Sequence, residues 1–124
     1  MTTMLIVDDE LDMRMLVRVV VEMANHGLSI IGEAADGAEA LRVWRDFDEP
    51  EPDVVILDNR MPHLSGLEVA EQILKERPSQ IVLLYSAFLD DEVRARAHEL
   101  GIARCLSKQE LTQIPALVTE LTSA

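Results

Sequence analysis

The chain alternates short unbroken apolar runs with stretches whose apolar residues recur every three or four positions. Met4-Leu5-Ile6-Val7 is such a run, the pattern of a strand buried on both faces. Leu11, Met15, Val19 and Met23 follow at helical spacing. They predict a first helix with these four residues inward, ending at Asn25-His26-Gly27. Leu28-Ser29-Ile30-Ile31-Gly32 reads as a second strand, and Ala40, Leu41, Trp44 and Phe47 mark a second helix. Val54-Val55-Ile56-Leu57 is the clearest buried strand. Ser65-Gly66-Leu67-Glu68 has the form of a capping box, and the helix it opens carries Leu67, Ala70, Ile73 and Leu74. Ile81 to Tyr85 is a fourth strand. Asp90-Asp91-Glu92 puts acids in a first helical turn, where the helix dipole favours them; Val93, Ala97 and Leu100 give that helix its inner face, and Gly101 stops it. Ile102 to Leu106 is a weaker fifth strand. The last helix carries Ile114, Leu117, Val118 and Leu121; Pro115 is tolerated only in a first turn, so this helix is expected to start near Thr112.

Strands and helices in strict alternation specify an α/β domain, a doubly wound parallel sheet with helices on both faces and right-handed crossovers. Residues 1–124 read as one domain. The only loose segment, Asp48-Glu49-Pro50-Glu51-Pro52, is too short for a domain linker. In such sheets ligands bind outside the carboxyl ends of the strands. Those ends carry Asp8-Asp9-Glu10 after strand one, Asp58 after strand three, Ser86 after strand four and Lys108 after strand five.

Each of these residues has an ordinary structural role open to it. Asp8 or Asp9 can cap the first helix, Asp58 can start a turn, Ser86 can cap the fourth helix, and Lys108 can be a solvated surface lysine. Their convergence on one edge of the sheet argues for a shared site instead. Lys108 is one of only two lysines, with Lys75, among eleven basic residues. A compact ammonium on a flexible stem suits that edge better than a planar guanidinium.

Composition narrows the class. The net charge of −12 disfavours direct contact with nucleic acid or anionic lipid and favours basic partners and divalent cations. Aromatic residues make up only 3% of the chain, so the core is aliphatic. A single cysteine, Cys105, rules out an intrachain disulfide. No basic, apolar leader opens the sequence, and no apolar stretch approaches the ~20 residues of a membrane span. A cytoplasmic protein is expected. His26, His63 and His98 are too dispersed to form a metal set.

The chemistry that the edge residues suit is phosphoryl transfer to a carboxylate. Clustered carboxylates repel one another, and a hard cation such as Mg²⁺ relieves that repulsion. The cation, a lysine and a hydroxyl together can neutralise the oxygens of a transferring phosphoryl group, with Asp58 as nucleophile.

Several stretches carry a specific resemblance: Leu5-Ile6-Val7-Asp8-Asp9-Glu10, Gly32-Glu33-Ala34-Ala35-Asp36-Gly37, Pro52-Asp53-Val54-Val55-Ile56-Leu57-Asp58, Met61-Pro62 with Ser65-Gly66-Leu67-Glu68, Ser86-Ala87, and Lys108. In combination they resemble the receiver domain of two-component response regulators over essentially the whole length. The resemblance implies a flavodoxin-like (βα)5 sheet of strand order 2-1-3-4-5. It implies Asp58 as phosphoacceptor, and Asp9, Asp58 and the backbone carbonyl of Arg60 as Mg²⁺ ligands. Asp8 is implied as the second acidic-pocket residue, often acting through water, with Ser86 and Lys108 engaging the phosphoryl group. It further implies a sensor histidine kinase as donor, and an output domain or partner protein on the face of the fourth helix, fifth strand and fifth helix. Leu89, Val93, Ala97, Ile114 and Leu121 mix core and interface roles there. Homodimerisation through that face is implied as well. The catalysis implied is confined to the domain's own phosphotransfer and dephosphorylation. The Gly32 to Gly37 stretch is most similar to receivers attached to helix-turn-helix output domains, although no output domain is expected within these residues.

Two positions depart from the pattern. Cys105 stands where an aromatic residue usually changes rotamer on activation, and Gln109 stands where a cis proline often follows the lysine. The chemistry therefore looks complete while the usual readout does not. The expected output is a shift of the loop Ala87 to Asp90 and a repacking of the fourth helix and fifth strand, without an aromatic switch. A redox role for Cys105 is the lesser reading, since a lone strand cysteine usually behaves as a small hydrophobe. Arg60 and Phe88, each two positions beyond a site residue, are expected to flank the pocket and tune access of water. Two rival readings stand beside this one. The first is a receiver-like binding module that works without phosphate. The second is an aspartyl-phosphate hydrolase, which Arg60 disfavours by occupying the place of that class's second aspartate. No GxxxxGK[ST] loop is present for a nucleotide.

Overall fold

The computed structural model describes residues 1–24, 26–48 and 50–123. The expected helix end at Asn25, Glu49 of the Pro-rich loop, and Ala124 lie outside these residues. The elements are β1 (Thr2–Val7), α1 (Leu11–Ala24), β2 (Leu28–Ala34), α2 (Gly37–Asp46), β3 (Val54–Asp58), α3 (Gly66–Glu76), β4 (Ile81–Ser86), α4 (Asp91–Leu100), β5 (Arg104–Ser107), a 3₁₀ segment Lys108–Gln113, and α5 (Ile114–Thr122). The strands form one sheet in the order β2-β1-β3-β4-β5, with every neighbouring pair parallel. This is the flavodoxin-like order that the family resemblance implied.

Alternation along each strand divides the core in two. Leu5, Val7, Val55, Leu57, Val82 and Leu84 pack against α2, α3 and α4. Met4, Ile6, Val54, Ile56, Leu83 and Tyr85 pack against α1 and α5. All twelve are fully shielded from solvent, which explains why β1, β3 and β4 read as continuous apolar runs rather than alternating ones.

Local chemistry sets the helix ends. The Ser65 hydroxyl accepts from Glu68 N–H at 3.2 Å, and Glu68 accepts from Ser65 N–H at 3.0 Å, closing the expected capping box. Asp90 caps α4 by accepting from Val93 N–H at 2.8 Å. Gly101 ends α4 at φ 90°, a left-handed conformation suited to glycine.

Three expectations need correction. Leu11, Met15, Val19 and Met23 face outward, 58%, 57%, 48% and 81% exposed, while Val17 and Val21 face the sheet. The helix is apolar nearly all round, so spacing alone does not choose its inner face. Polar pairing does: Arg14 and Arg18 share the Val17–Val21 side and reach Glu33 of β2 at 3.0 and 2.5 Å. Those guanidiniums hold the Glu33 carboxyl below its usual range, Arg18 foremost. Second, β5 starts at Arg104 rather than Ile102, because Ile102 N–H still bonds the Ala97 carbonyl at the end of α4. Third, α5 starts at Ile114, not near Thr112, with Pro115 in its first turn. The preceding residues take the tighter 3₁₀ path instead.

Gly66 brings α3 hard against the end of β3. A Cβ there would lie 2.3 Å from the Asp58 carbonyl oxygen and 2.9 Å from Asn59 Cα. Both are backbone atoms, so neither can rotate away. Gly66→Ala is expected to cost about 1–3 kcal/mol, in the range of overpacked cores. Urea unfolding checks this; an unchanged midpoint would show that the β3–α3 loop yields freely.

Candidate functional site

The carboxyl edge of the sheet gathers three residues that are almost wholly removed from water: Asp8 at 0% exposure, Ser86 at 1% and Asp58 at 2%. Lys108, delivered by the turn after β5, bridges the two carboxylates. Its Nζ lies 3.0 Å from Asp8 Oδ2 and 3.3 Å from Asp58 Oδ1, and Glu10 Oε1 is 3.7 Å away. Burial alone would lower the Lys108 pKa. The hydrogen bond to Asp8, with the charges of Asp58 and Asp8, outweighs that and raises it above the usual lysine value.

Asp58 is shifted upward as well, which for a carboxyl favours the neutral form. Burial, then the nearby Asp8 charge, raises its pKa from 3.8 to about 7, with Lys108 and the Arg60 backbone N–H opposing in part. Two carboxylates against one ammonium leave the pocket short of positive charge. Asp8, Asp9 and Glu10 also offer carboxylate oxygens within 4.8 Å of one another, the last two at the surface. The donors are all hard oxygens, a set suited to a cation such as Mg²⁺.

Asp8 itself is heavily engaged. Its Oδ1 accepts from Glu10 N–H at 2.9 Å, while Oδ2 takes both Lys108 and the Tyr85 hydroxyl, the latter at 2.5 Å. The Ser86 hydroxyl accepts from Phe88 N–H at 3.2 Å. The Arg60 guanidinium stacks on the exposed Phe88 ring, 4.3 Å from its centroid, linking the β3–α3 and β4–α4 loops.

Comparison with known proteins identifies the family. Residues 4–119 match the response regulator receiver domain family. The chain belongs to that family. This receiver domain is 37% identical over 108 residues to the transcriptional regulatory protein YdfI of Bacillus subtilis, covering 87% of this chain and 48% of that protein. It is 38% identical over 87 residues to the chemotaxis protein CheY of Listeria monocytogenes, covering 70% of this chain and 69% of CheY. It also superposes on the signal receiver domain of the response regulator NarL of Mycobacterium tuberculosis with a TM-score of 0.86 at 30% identity, over 97% and 94% of the two chains. The chain thus spans about half the length of YdfI. It is a receiver of the kind used in two-component systems.

Of the residues singled out in the sequence, Asp8, Asp58 and Lys108 are brought into direct contact, and Ser86 ends the strand beside Asp58. Asp9 lies at the surface of the acidic group. Glu10, placed at this edge by the sequence without a role of its own, joins the carboxylates through its backbone N–H and its approach to Lys108. Tyr85 is a participant that the sequence pattern shows only as part of β4. Its signal was present: it is the one tyrosine in the chain, at the end of a buried strand, and a buried hydroxyl must find a partner.

The departures also have a place in the fold. Cys105 is half-buried on β5, on the side of the sheet that carries α4, and burial raises its thiol pKa. That suits a packing residue better than a redox sensor. Gln109 donates its N–H to the Ser107 hydroxyl at 3.3 Å, a bond that proline could not make. None of Leu89, Val93, Ala97, Ile114 and Leu121 is a free apolar surface: all five pack into the two core clusters.

Proposed function

We propose that this receiver accepts a phosphoryl group on Asp58 in a Mg²⁺-dependent reaction and passes the signal on through protein–protein contacts. One observation carries the reading: a lysine ammonium held between two buried carboxylates, beside a buried serine, at the carboxyl edge of a doubly wound sheet.

The roles follow from the contacts. An Asp58 carboxylate oxygen attacks phosphorus, and the bond from phosphorus to the donor breaks, as to the imidazole nitrogen of a kinase phosphohistidine. Mg²⁺ would be held by Asp9, Asp58 and the Arg60 backbone carbonyl, and it supplies positive charge for the transferring oxygens. Asp8, with both oxygens already accepting protein donors, serves that site through water rather than directly. Lys108 then turns from the carboxylates to a phosphoryl oxygen, and Ser86 offers its hydroxyl to another. Phe88 N–H now holds that hydroxyl, so its departure pulls on the β4–α4 loop and starts the shift of Ala87 to Asp90.

The same reading makes a sensor histidine kinase the donor. The receiver of the output signal is a separate domain or partner protein meeting α4, β5 and α5. The YdfI likeness supports a link to transcription. Among the described residues no helix is long and apolar enough to cross a membrane, and we take the site of action to be the cytoplasm.

Incubation with Mg²⁺ and acetyl phosphate tests the chemistry. Intact mass is expected to rise by one phosphoryl group, ~80 Da. Hydroxylamine, which cleaves acyl phosphates, should remove the gain, and the modified peptide should contain Asp58. No gain, together with no saturable binding of beryllium fluoride, would overturn the reading in favour of a module that binds partners without phosphate.

A further inference from the structure

Tyr85 is fully buried on β4, next to Ser86, on the side of the sheet that packs against α1 and α5. Its hydroxyl donates to Asp8 Oδ2, the same oxygen that Lys108 approaches at 3.0 Å. Its ring also lies near the ammonium, with Lys108 Nζ 5.1 Å from the ring centroid. One side chain therefore touches both members of the Asp8–Lys108 pair. The register of the sheet fixes it there: Tyr85 pairs directly with Asp58 of β3, and β3 lies between β4 and the β1 strand that ends at Asp8.

This arrangement meets a difficulty built into phosphoryl capture. For Lys108 to reach a phosphoryl oxygen it must loosen its hold on Asp8. A fully buried carboxylate that loses its cation pays heavily unless another donor remains. Glu10 N–H covers Oδ1 only. On Oδ2 the remaining donor is the Tyr85 hydroxyl.

We propose that Tyr85 is a positioning residue that keeps Asp8 satisfied while Lys108 moves, and so lets the lysine engage the phosphoryl group. It acts through Asp8 and Lys108 and does not touch the phosphoryl group itself. The proposal rests on the phosphotransfer reading above. It assigns to β4 a part of the response that in this chain no β5 aromatic can supply, since Cys105 occupies that position.

The decisive experiment compares the Mg²⁺-dependent rate of phosphoryl gain from acetyl phosphate in wild type, Tyr85→Phe, Lys108→Met and the double variant. Phenylalanine keeps the ring and removes only the hydroxyl. Tyr85→Phe is expected to slow the gain about tenfold, the size of one hydrogen bond to a charged group. In the Lys108→Met background the same change is expected to have no further effect, because no lysine is left to release. A purely structural role would slow both backgrounds alike, and that result, or an unchanged rate in Tyr85→Phe, overturns the proposal while leaving phosphotransfer standing. A wild type that gains no phosphoryl group would overturn the phosphotransfer reading and this proposal with it.

A second measurement needs no variant. Tyr85 is the only tyrosine, so ¹³C-tyrosine labelling gives a single Cζ resonance. Adding beryllium fluoride with Mg²⁺ is expected to shift that resonance as Asp8 Oδ2 exchanges two donors for one. A resonance that stays fixed at saturation would overturn the role.

Discussion

Asp58→Asn is expected to abolish phosphoryl uptake altogether and, at pH 8 without Mg²⁺, to melt on the order of 10 °C above wild type. The first effect is the loss of the nucleophile. The second follows from the raised pKa of the folded-state carboxyl. Asp58 titrates near 3.8 when unfolded and at about 7 when folded, so between those values the folded protein binds more protons than the unfolded one. Stability therefore falls as pH rises through this window, and the full penalty is reached above pH 7. At roughly 1.4 kcal/mol per pKa unit the penalty is a few kcal/mol, or about 10 °C for a domain of this size. Asparagine fills the same space and does not ionise. The difference between variant and wild type should vanish below about pH 4 and grow steadily to pH 7. Mg²⁺ stabilises the ionised form and should raise the wild-type midpoint more than the variant's. Melting curves from pH 4 to 8, with and without Mg²⁺, check all three statements. A difference that stays constant across pH would show that Asp58 is not the group under strain.

The same pocket shows what was legible in the sequence and what was not. β1, β3 and β4 were readable because burial on both faces leaves no polar position inside them, and the residues at their ends followed from topology. Asp8, Asp58, Ser86 and Lys108 are thus brought to one edge by strand ends and topology alone. The rotation of α1 could not. Its sequence offers apolar residues on every side, and the choice was made by two arginines reaching a glutamate on a different strand. Tyr85 was missed for a related reason. An apolar run conceals a hydroxyl whose partner lies two strands away, and that partnership exists only once the register of β1, β3 and β4 is set. Long-range polar pairing, rather than hydrophobic periodicity, is what escaped. The outward stripe of Leu11, Met15, Val19 and Met23 is its visible by-product.

Lys108→Met should produce the opposite change in stability from Asp58→Asn. Methionine retains the length and apolar stem of lysine but leaves Asp8 and Asp58 facing each other with no cation between them. Removing one partner from a buried charged set typically costs about 3–5 kcal/mol, because the remaining charge is uncompensated. The cost should depend on pH in a definite direction. Lys108 opposes the rise in the Asp58 pKa, so its loss pushes that pKa higher still. Asp58 then stays protonated to a higher pH, and the penalty on the folded state keeps growing beyond pH 7, where wild type has levelled off. At pH 5 Asp58 is largely neutral in both proteins, and the difference between them should be at its smallest. Coupling gives a further check. In an Asp58→Asn background only Asp8 is left without its cation, and the Tyr85 hydroxyl and Glu10 N–H still hold that carboxylate. Lys108→Met should therefore cost markedly less there than in wild type. Urea midpoints for the four proteins at pH 5 and pH 8 resolve the cycle. Equal costs in the two backgrounds at pH 8, where Asp58 is ionised, would mean that Lys108 is bound to Asp8 alone and that the bridge to Asp58, on which the phosphotransfer reading depends, carries no energy.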